Sequence, residues 1–243
     1  SESEDLSSLK IGGLLKTTLL DYPGKVACTI FTSGCSYKCP FCHNRDLVYI
    51  PENYQFLDVD EIFRFLDKRK NILDGVCISG GEPLMQEKLI PFLKEIKKRG
   101  YEIKLDVTGN YLDRLKEIVD AKLVDYIAMD VKNTKEKYAL TVGSDAENFP
   151  VESMDACISY IRTCGIPYEF RTTIVRELHT KEDLVAMAKW LKGADAWYLQ
   201  QFQDSPNCIQ EGFHSYNKQE MLEILEAVKQ YVPNAEVRGV KED

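Results

Sequence analysis

No apolar run in this 243-residue chain approaches the roughly 18 residues that a membrane span needs. The opening residues, Ser1-Glu2-Ser3-Glu4-Asp5, are acidic and lack the apolar stretch of a signal peptide. Positive charge is in deficit: 31 Lys and Arg stand against 39 Asp and Glu, a formal net charge of −8. That balance argues against non-specific binding to nucleic acid or to anionic membranes. Eight cysteines, three of them bunched, do not read as the disulfide framework of a secreted chain this long. A reducing cytoplasm is the predicted setting. No internal repeat, low-complexity tract or composition shift divides the chain. Residues 1–10 are expected to form a flexible tail and residues 11–243 one domain.

One further absence carries chemical meaning. Cys35, Cys39 and Cys42 are spaced C-x3-C-x2-C, and no fourth cysteine follows at matching spacing. A structural zinc site or a four-cysteine electron-transfer cluster normally wants four protein ligands. Three thiolates on an iron–sulfur cubane leave one iron open to a substrate. The alternative on spacing alone is a zinc loop completed by His43.

The remaining pattern alternates β-rich runs with amphipathic stretches. Strands are predicted at 26–31, 75–79, 102–107, 126–131, 168–175 and 196–203, with a short last one at 236–238. Apolar residues recur at i, i+3, i+4, i+7 through Val59–Leu66, Leu89–Ile96, Leu184–Leu191 and Met221–Val228. Asp58, Thr180 and Asn217 each precede an acid by three residues, the pattern of a capped helix start. Gly100 and Gly165 fall just past predicted helix ends. Strand–helix alternation implies right-handed βαβ units and a parallel sheet. About six such units fall short of the eight of a closed (β/α)8 barrel.

The loop Cys35-Ser36-Tyr37-Lys38-Cys39-Pro40-Phe41-Cys42, extended by His43-Asn44-Arg45-Asp46, resembles the radical S-adenosylmethionine (AdoMet) superfamily, and within it the activating enzymes of glycyl radical enzymes. The resemblance implies an α/β partial, open (β/α)6 TIM-like barrel. It also implies a 4Fe-4S cluster on Cys35, Cys39 and Cys42 that reductively cleaves S-adenosyl-L-methionine to a 5′-deoxyadenosyl radical. Phe41 and His43 would lie by the adenine. Ser79-Gly80-Gly81-Glu82-Pro83 looks like the family's GGEP motif, which grips the AdoMet amino group. Thr108 and the acids Asp106 and Asp130, with Lys132, would line the AdoMet carboxylate side. The two acids and the carbonyls of Val107 and Ala128 are candidates for a monovalent cation. Arg171 matches an arginine that contacts the AdoMet carboxylate or ribose, its planar fork suiting either. Gln201 and Gln203 share a face and would meet the ribose or adenine. Asp21, in Asp21-Tyr22-Pro23-Gly24, resembles the element whose acid meets the partner's glycyl loop, although Tyr22 replaces a glycine there.

The implied partners are a glycyl radical enzyme, with anaerobic ribonucleotide reductase favoured by the Leu20–Lys25 opening, and a flavodoxin or ferredoxin-type electron donor. No ferredoxin-like insert is present, since no cysteine lies between Cys42 and Cys77. The rival readings are a radical AdoMet enzyme acting on a small molecule or peptide and a non-catalytic metal-binding module. Cys28 and Cys77 are expected to be buried small hydrophobes, Cys157, Cys164 and Cys208 not to form a second cluster, and His179 and His214 to lie at the surface.

Overall fold

A computed structural model describes residues 5–35, 37–42, 44–144 and 149–242. It divides into two units, one of residues 1–36 and 46–127 and the other of residues 37–45 and 128–243.

The first unit is built on β1 (Ile11–Thr18), β2 (Ala27–Thr32), β3 (Gly75–Gly80) and β4 (Glu102–Val107), adjacent in that order. β1 is antiparallel to β2, and β2, β3 and β4 are parallel. The parallel strands are short apolar, β-branched runs, as strands covered on both faces must be. Helices α2 (Val59–Lys68), α3 (Leu89–Lys98) and α4 (Leu112–Asp120) make the returns, after the short α1 (Arg45–Val48). On α3, Leu89, Phe92, Leu93 and Ile96 are wholly buried, each burial contributing about 2 kcal/mol. Asp58 caps α2 by accepting from Asp60 N–H (3.0 Å) rather than through the expected partner three residues on.

Strand β1 is missing from the sequence prediction. Gly12 and Gly13 interrupt its β pattern. A Cβ on Gly12 would press on the Leu47 side chain and the Ser33 hydroxyl (2.6 Å). Helix α4 was not predicted either. Leu6 and Leu9, in the expected tail, are buried.

Strand β5 (Tyr126–Asp130) ends in the second unit, which adds β6 (Tyr168–Ile174), β7 (Trp197–Gln201) and β8 (Ala235–Arg238). β6, β7 and β8 are parallel neighbours. Helices α5 (Tyr138–Thr141), α6 (Val151–Thr163), α7 (Lys181–Trp190) and α8 (Lys218–Lys229) accompany them. Thr180 with Asp183 and Asn217 with Glu220 form complete capping boxes at α7 and α8, each satisfying two otherwise orphaned N–H groups. Gly100 and Gly165 have φ of 83° and 87° beyond α3 and α6, as the predicted stops require. Among the described residues, no helix is long and apolar enough to cross a membrane.

Candidate active site

In the first unit the end of β2 runs through Ser33 and Gly34 into Cys35. The Gly80-Gly81 turn at the end of β3 lies directly on it. Gly81 N–H donates to Thr32 O (3.1 Å) and Glu82 N–H to Gly34 O (2.7 Å). A Cβ on Gly81 would overlap the Gly34 carbonyl and stand 3.1 Å from the Cys35 Cβ. Gly80 has φ of 119°, and its Cβ would strike the Thr32 backbone. Both positions demand glycine for close backbone approach. Thus the GGEP turn and the entry to the cysteine loop meet.

Glu82 is fully buried. Its Oε1 accepts from Leu84 N–H (2.9 Å), and its Oε2 accepts from Thr108 N–H (2.7 Å) and from the Thr108 hydroxyl. A buried carboxylate needs such donors. Two partners that the sequence reading missed fix this turn. Gln86 Nε2 donates to Ser33 O (2.7 Å) while its Oε1 accepts from Lys10 N–H (3.1 Å), and the Arg114 guanidinium bonds the carbonyls of Leu84 and Gln86. Below, Asp106 pairs with the buried Lys104 at 2.7 Å, and Asp21 accepts from the Thr29 hydroxyl (2.6 Å). Cys28 and Cys77 are wholly buried, as expected, and burial pushes both thiols up to about 12.

In the second unit the loop Tyr37–Cys42 is held from two sides. Lys38 N–H donates to Val142 O (2.9 Å), and the Tyr37 hydroxyl to the Met154 sulfur (3.3 Å). Across it runs a strap that sequence reasoning did not reveal. Ile209 N–H donates to Cys42 O (3.1 Å), Gln210 N–H to Pro40 O (2.7 Å), and Arg45 N–H to Asn207 O (3.3 Å). Cys208, within the strap, is buried, its thiol 3.8 Å from Phe41 O. Phe41 is buried too. Cys42 Sγ accepts from Asn44 N–H (3.4 Å). His43 lies outside the described residues.

Lys132 stands between acids and thiols. Its Nζ is 3.6 Å from Asp130 Oδ2, and Arg171 Nε is 3.8 Å from Asp130 Oδ1. Burial disfavours the ammonium, but the Asp130 carboxylate and the Cys39, Tyr138 and Cys42 groups outweigh it, and the pKa is raised. Lys132 is anchored by its backbone: its N–H donates to the Tyr138 hydroxyl (3.2 Å), and its carbonyl faces His179 Nε2 (2.7 Å). Contrary to expectation, His179 is fully buried, its Nδ1 accepting from Val175 N–H (3.0 Å). That pattern assigns the proton to Nε2. His214 is exposed, as expected.

Gln201 and Gln203 are committed to backbone. Gln201 Nε2 donates to Tyr216 O (2.8 Å) and its Oε1 accepts from Lys241 N–H (2.9 Å), while Gln203 Nε2 donates to Gly239 O (2.9 Å). Among the described residues no three His, Cys, Asp or Glu side chains are grouped as a metal-ion site, so the cluster assignment rests on the spacing and chemistry of the three thiols and on family.

The family is established by comparison. The model of the Radical SAM superfamily matches residues 29–191. A candidate glycyl-radical enzyme activating enzyme of Methanocaldococcus jannaschii is 31% identical over 239 residues, covering 95% of this chain and 96% of that protein. The pyruvate formate-lyase-activating enzyme of Clostridium pasteurianum is 29% identical over 181 residues, 72% of each chain. A radical SAM methyltransferase from Sphaerobacter thermophilus superposes with a TM-score of 0.70 at 14% identity, covering 96% of this chain and 77% of the other. SuiB of Streptococcus suis gives a TM-score of 0.67 at 14% identity over 85% of this chain, which spans about half (47%) of SuiB. This chain belongs to the radical SAM superfamily. Its fold is accordingly the α/β partial, open TIM-like barrel of that class, and the family implies a 4Fe-4S cluster and S-adenosylmethionine.

Proposed function

We propose that this chain is the activase of a glycyl radical enzyme. The observation that carries the reading is the meeting of the Gly80-Gly81-Glu82 turn with the Gly34–Cys35 backbone, supported by end-to-end similarity to a candidate activating enzyme. Cys35, Cys39 and Cys42 would hold the cluster. When bound, it supplies one electron to S-adenosylmethionine, whose cleavage gives methionine and the 5′-deoxyadenosyl radical that takes a hydrogen atom from a glycine Cα of the partner. Glu82, oriented by Leu84 and Thr108, is assigned to the AdoMet ammonium. Lys132 and Arg171 supply positive charge for the AdoMet carboxylate. Phe41 and His43 are assigned to the adenine. For Gln201 and Gln203 an adenosine role requires exchange of their present backbone bonds.

The same resemblance assigns a monovalent cation to Asp106 and Asp130, but both acids already face ammonium or guanidinium groups, and the donor set does not fit one. Asp21 is assigned to the partner's glycyl loop. Anaerobic ribonucleotide reductase is the partner proposed, a flavodoxin or ferredoxin the reductant, and the cytoplasm the setting. The test is anaerobic reconstitution and reduction, then incubation with AdoMet and candidate glycyl radical enzymes. A glycyl doublet in the EPR spectrum is expected. AdoMet cleavage without a doublet in any partner would remove the activase reading and favour a small-molecule or peptide modifier.

A further inference from the structure

Lys104 has no place in the chemistry above, yet it is among the largest wholly buried side chains of the molecule. Its position follows from the strand register. Thr29 of β2 sits opposite Cys77 of β3, and Cys77 opposite Lys104 of β4. Lys104 and Asp106 are two residues apart on one strand and project from the same face. Their side chains are 2% and 12% exposed, and Nζ is 2.7 Å from Oδ1. An ammonium–carboxylate hydrogen bond of this length is of the strong, charge-assisted kind.

We propose that the Lys104 ammonium is a positioning residue that serves as the built-in counter-ion of Asp106, in place of a monovalent cation. The acids near it are Asp106 and, by way of the Cys77 thiol that feels all three charges, Asp21. Asp21 already accepts from the Thr29 hydroxyl. A sodium or potassium ion on the Asp106 carboxylate would bring a second positive charge close to Nζ. The ammonium, tethered by the strand, holds the carboxylate in place without loss of a free ion's translational freedom. The other acid assigned to a cation, Asp130, likewise has its own lysine and arginine.

The inference rests on the proposed AdoMet site only in one of its two readouts. The first readout is thermal unfolding of the full-length, cluster-free chain in sodium, potassium or tetramethylammonium chloride at equal ionic strength. The second is AdoMet affinity of the cluster-loaded protein in the same salts. Wild type is expected to show one unfolding midpoint and one affinity, within about twofold, in all three salts. Lys104→Met is expected to acquire a dependence on small cations: a midpoint raised by sodium or potassium over tetramethylammonium, and AdoMet binding about tenfold weaker without them. Lys104→Arg should keep the indifference of wild type. Should Lys104→Met not fold, wild type and Lys104→Arg still decide. A saturable response of wild type to sodium or potassium overturns the proposal, as does a folded Lys104→Met that ignores them. Failure of AdoMet to bind in any salt removes the functional reading and leaves the unfolding test standing.

Discussion

The two units hold their site residues by different physics. In the first, the turn at Gly80-Gly81-Glu82 is fixed by backbone fit: two glycines let one chain segment lie on another, and Glu82 is locked by three donors from Leu84 and Thr108. In the second, the Tyr37–Cys42 loop is tied by hydrogen bonds to two other segments, and charge does the arranging, with Lys132 and Arg171 facing Asp130. A backbone-fitted turn tolerates no added atom. The first arrangement holds one carboxylate in a single geometry, and the second surrounds another with positive charge.

The comparison can be broken in order of effect. Replacing Cys35, Cys39 or Cys42 singly by Ala should abolish formation of 5′-deoxyadenosine and lower bound iron, measured after anaerobic reconstitution, while Cys28→Ala leaves bound iron unchanged. Next, Gly81→Ala should destabilise the fold by about 3 kcal/mol in urea titration, since backbone rather than a side chain stands in the way. In the second unit, Gly143 also meets backbone, that of Lys38, and has a left-handed φ of 70°, so Gly143→Ala should bring a loss of similar size, about 3 kcal/mol. A negligible loss at either would show that the backbone there gives way. Third, Glu82→Gln places an amide donor against the donors of Thr108 and Leu84 and should cost about 2 kcal/mol of stability. A neutral outcome would mean that the carboxylate is not held as described.

The smallest effect is a pH dependence in the second unit. Burial lowers the pKa of His179, so the unfolded chain binds its proton more readily than the folded one. The stabilising contribution of neutral His179 is full above the ordinary imidazole value, near 6.5, and declines as pH falls through it toward the lower folded value. His179→Gln should flatten that part of a stability profile read by urea titration across mildly acid pH. An unchanged slope would show that His179 is not the group responsible.

Much of this was legible in the sequence. The seven predicted strands each fall within a few residues of an observed one, because apolar β-branched runs between amphipathic helices leave few alternatives. The Gly80-Gly81 turn was readable as a close approach because only glycine serves there. β1 was hidden by Gly12 and Gly13; at Gly12 the reason is tertiary, since the Leu47 and Ser33 side chains fill the space a Cβ would take. His179 was misplaced at the surface because its two backbone partners, at 132 and 175, come from different strands' ends. The 207–210 strap could not be read because its bonds are made by backbone, which carries no residue signature. Lys104 carries no signal in the sequence, and its burial beside Asp106 is seen only in the folded strand.

The central claim is that three thiolates present an iron with an open position to S-adenosylmethionine. Mössbauer spectroscopy of the reduced, iron-57-reconstituted protein, with and without AdoMet, tests it most directly. One iron of a 4Fe-4S cluster should change its spectrum when AdoMet is added while the other three do not. A cluster whose four irons are alike and indifferent to AdoMet would contradict the account.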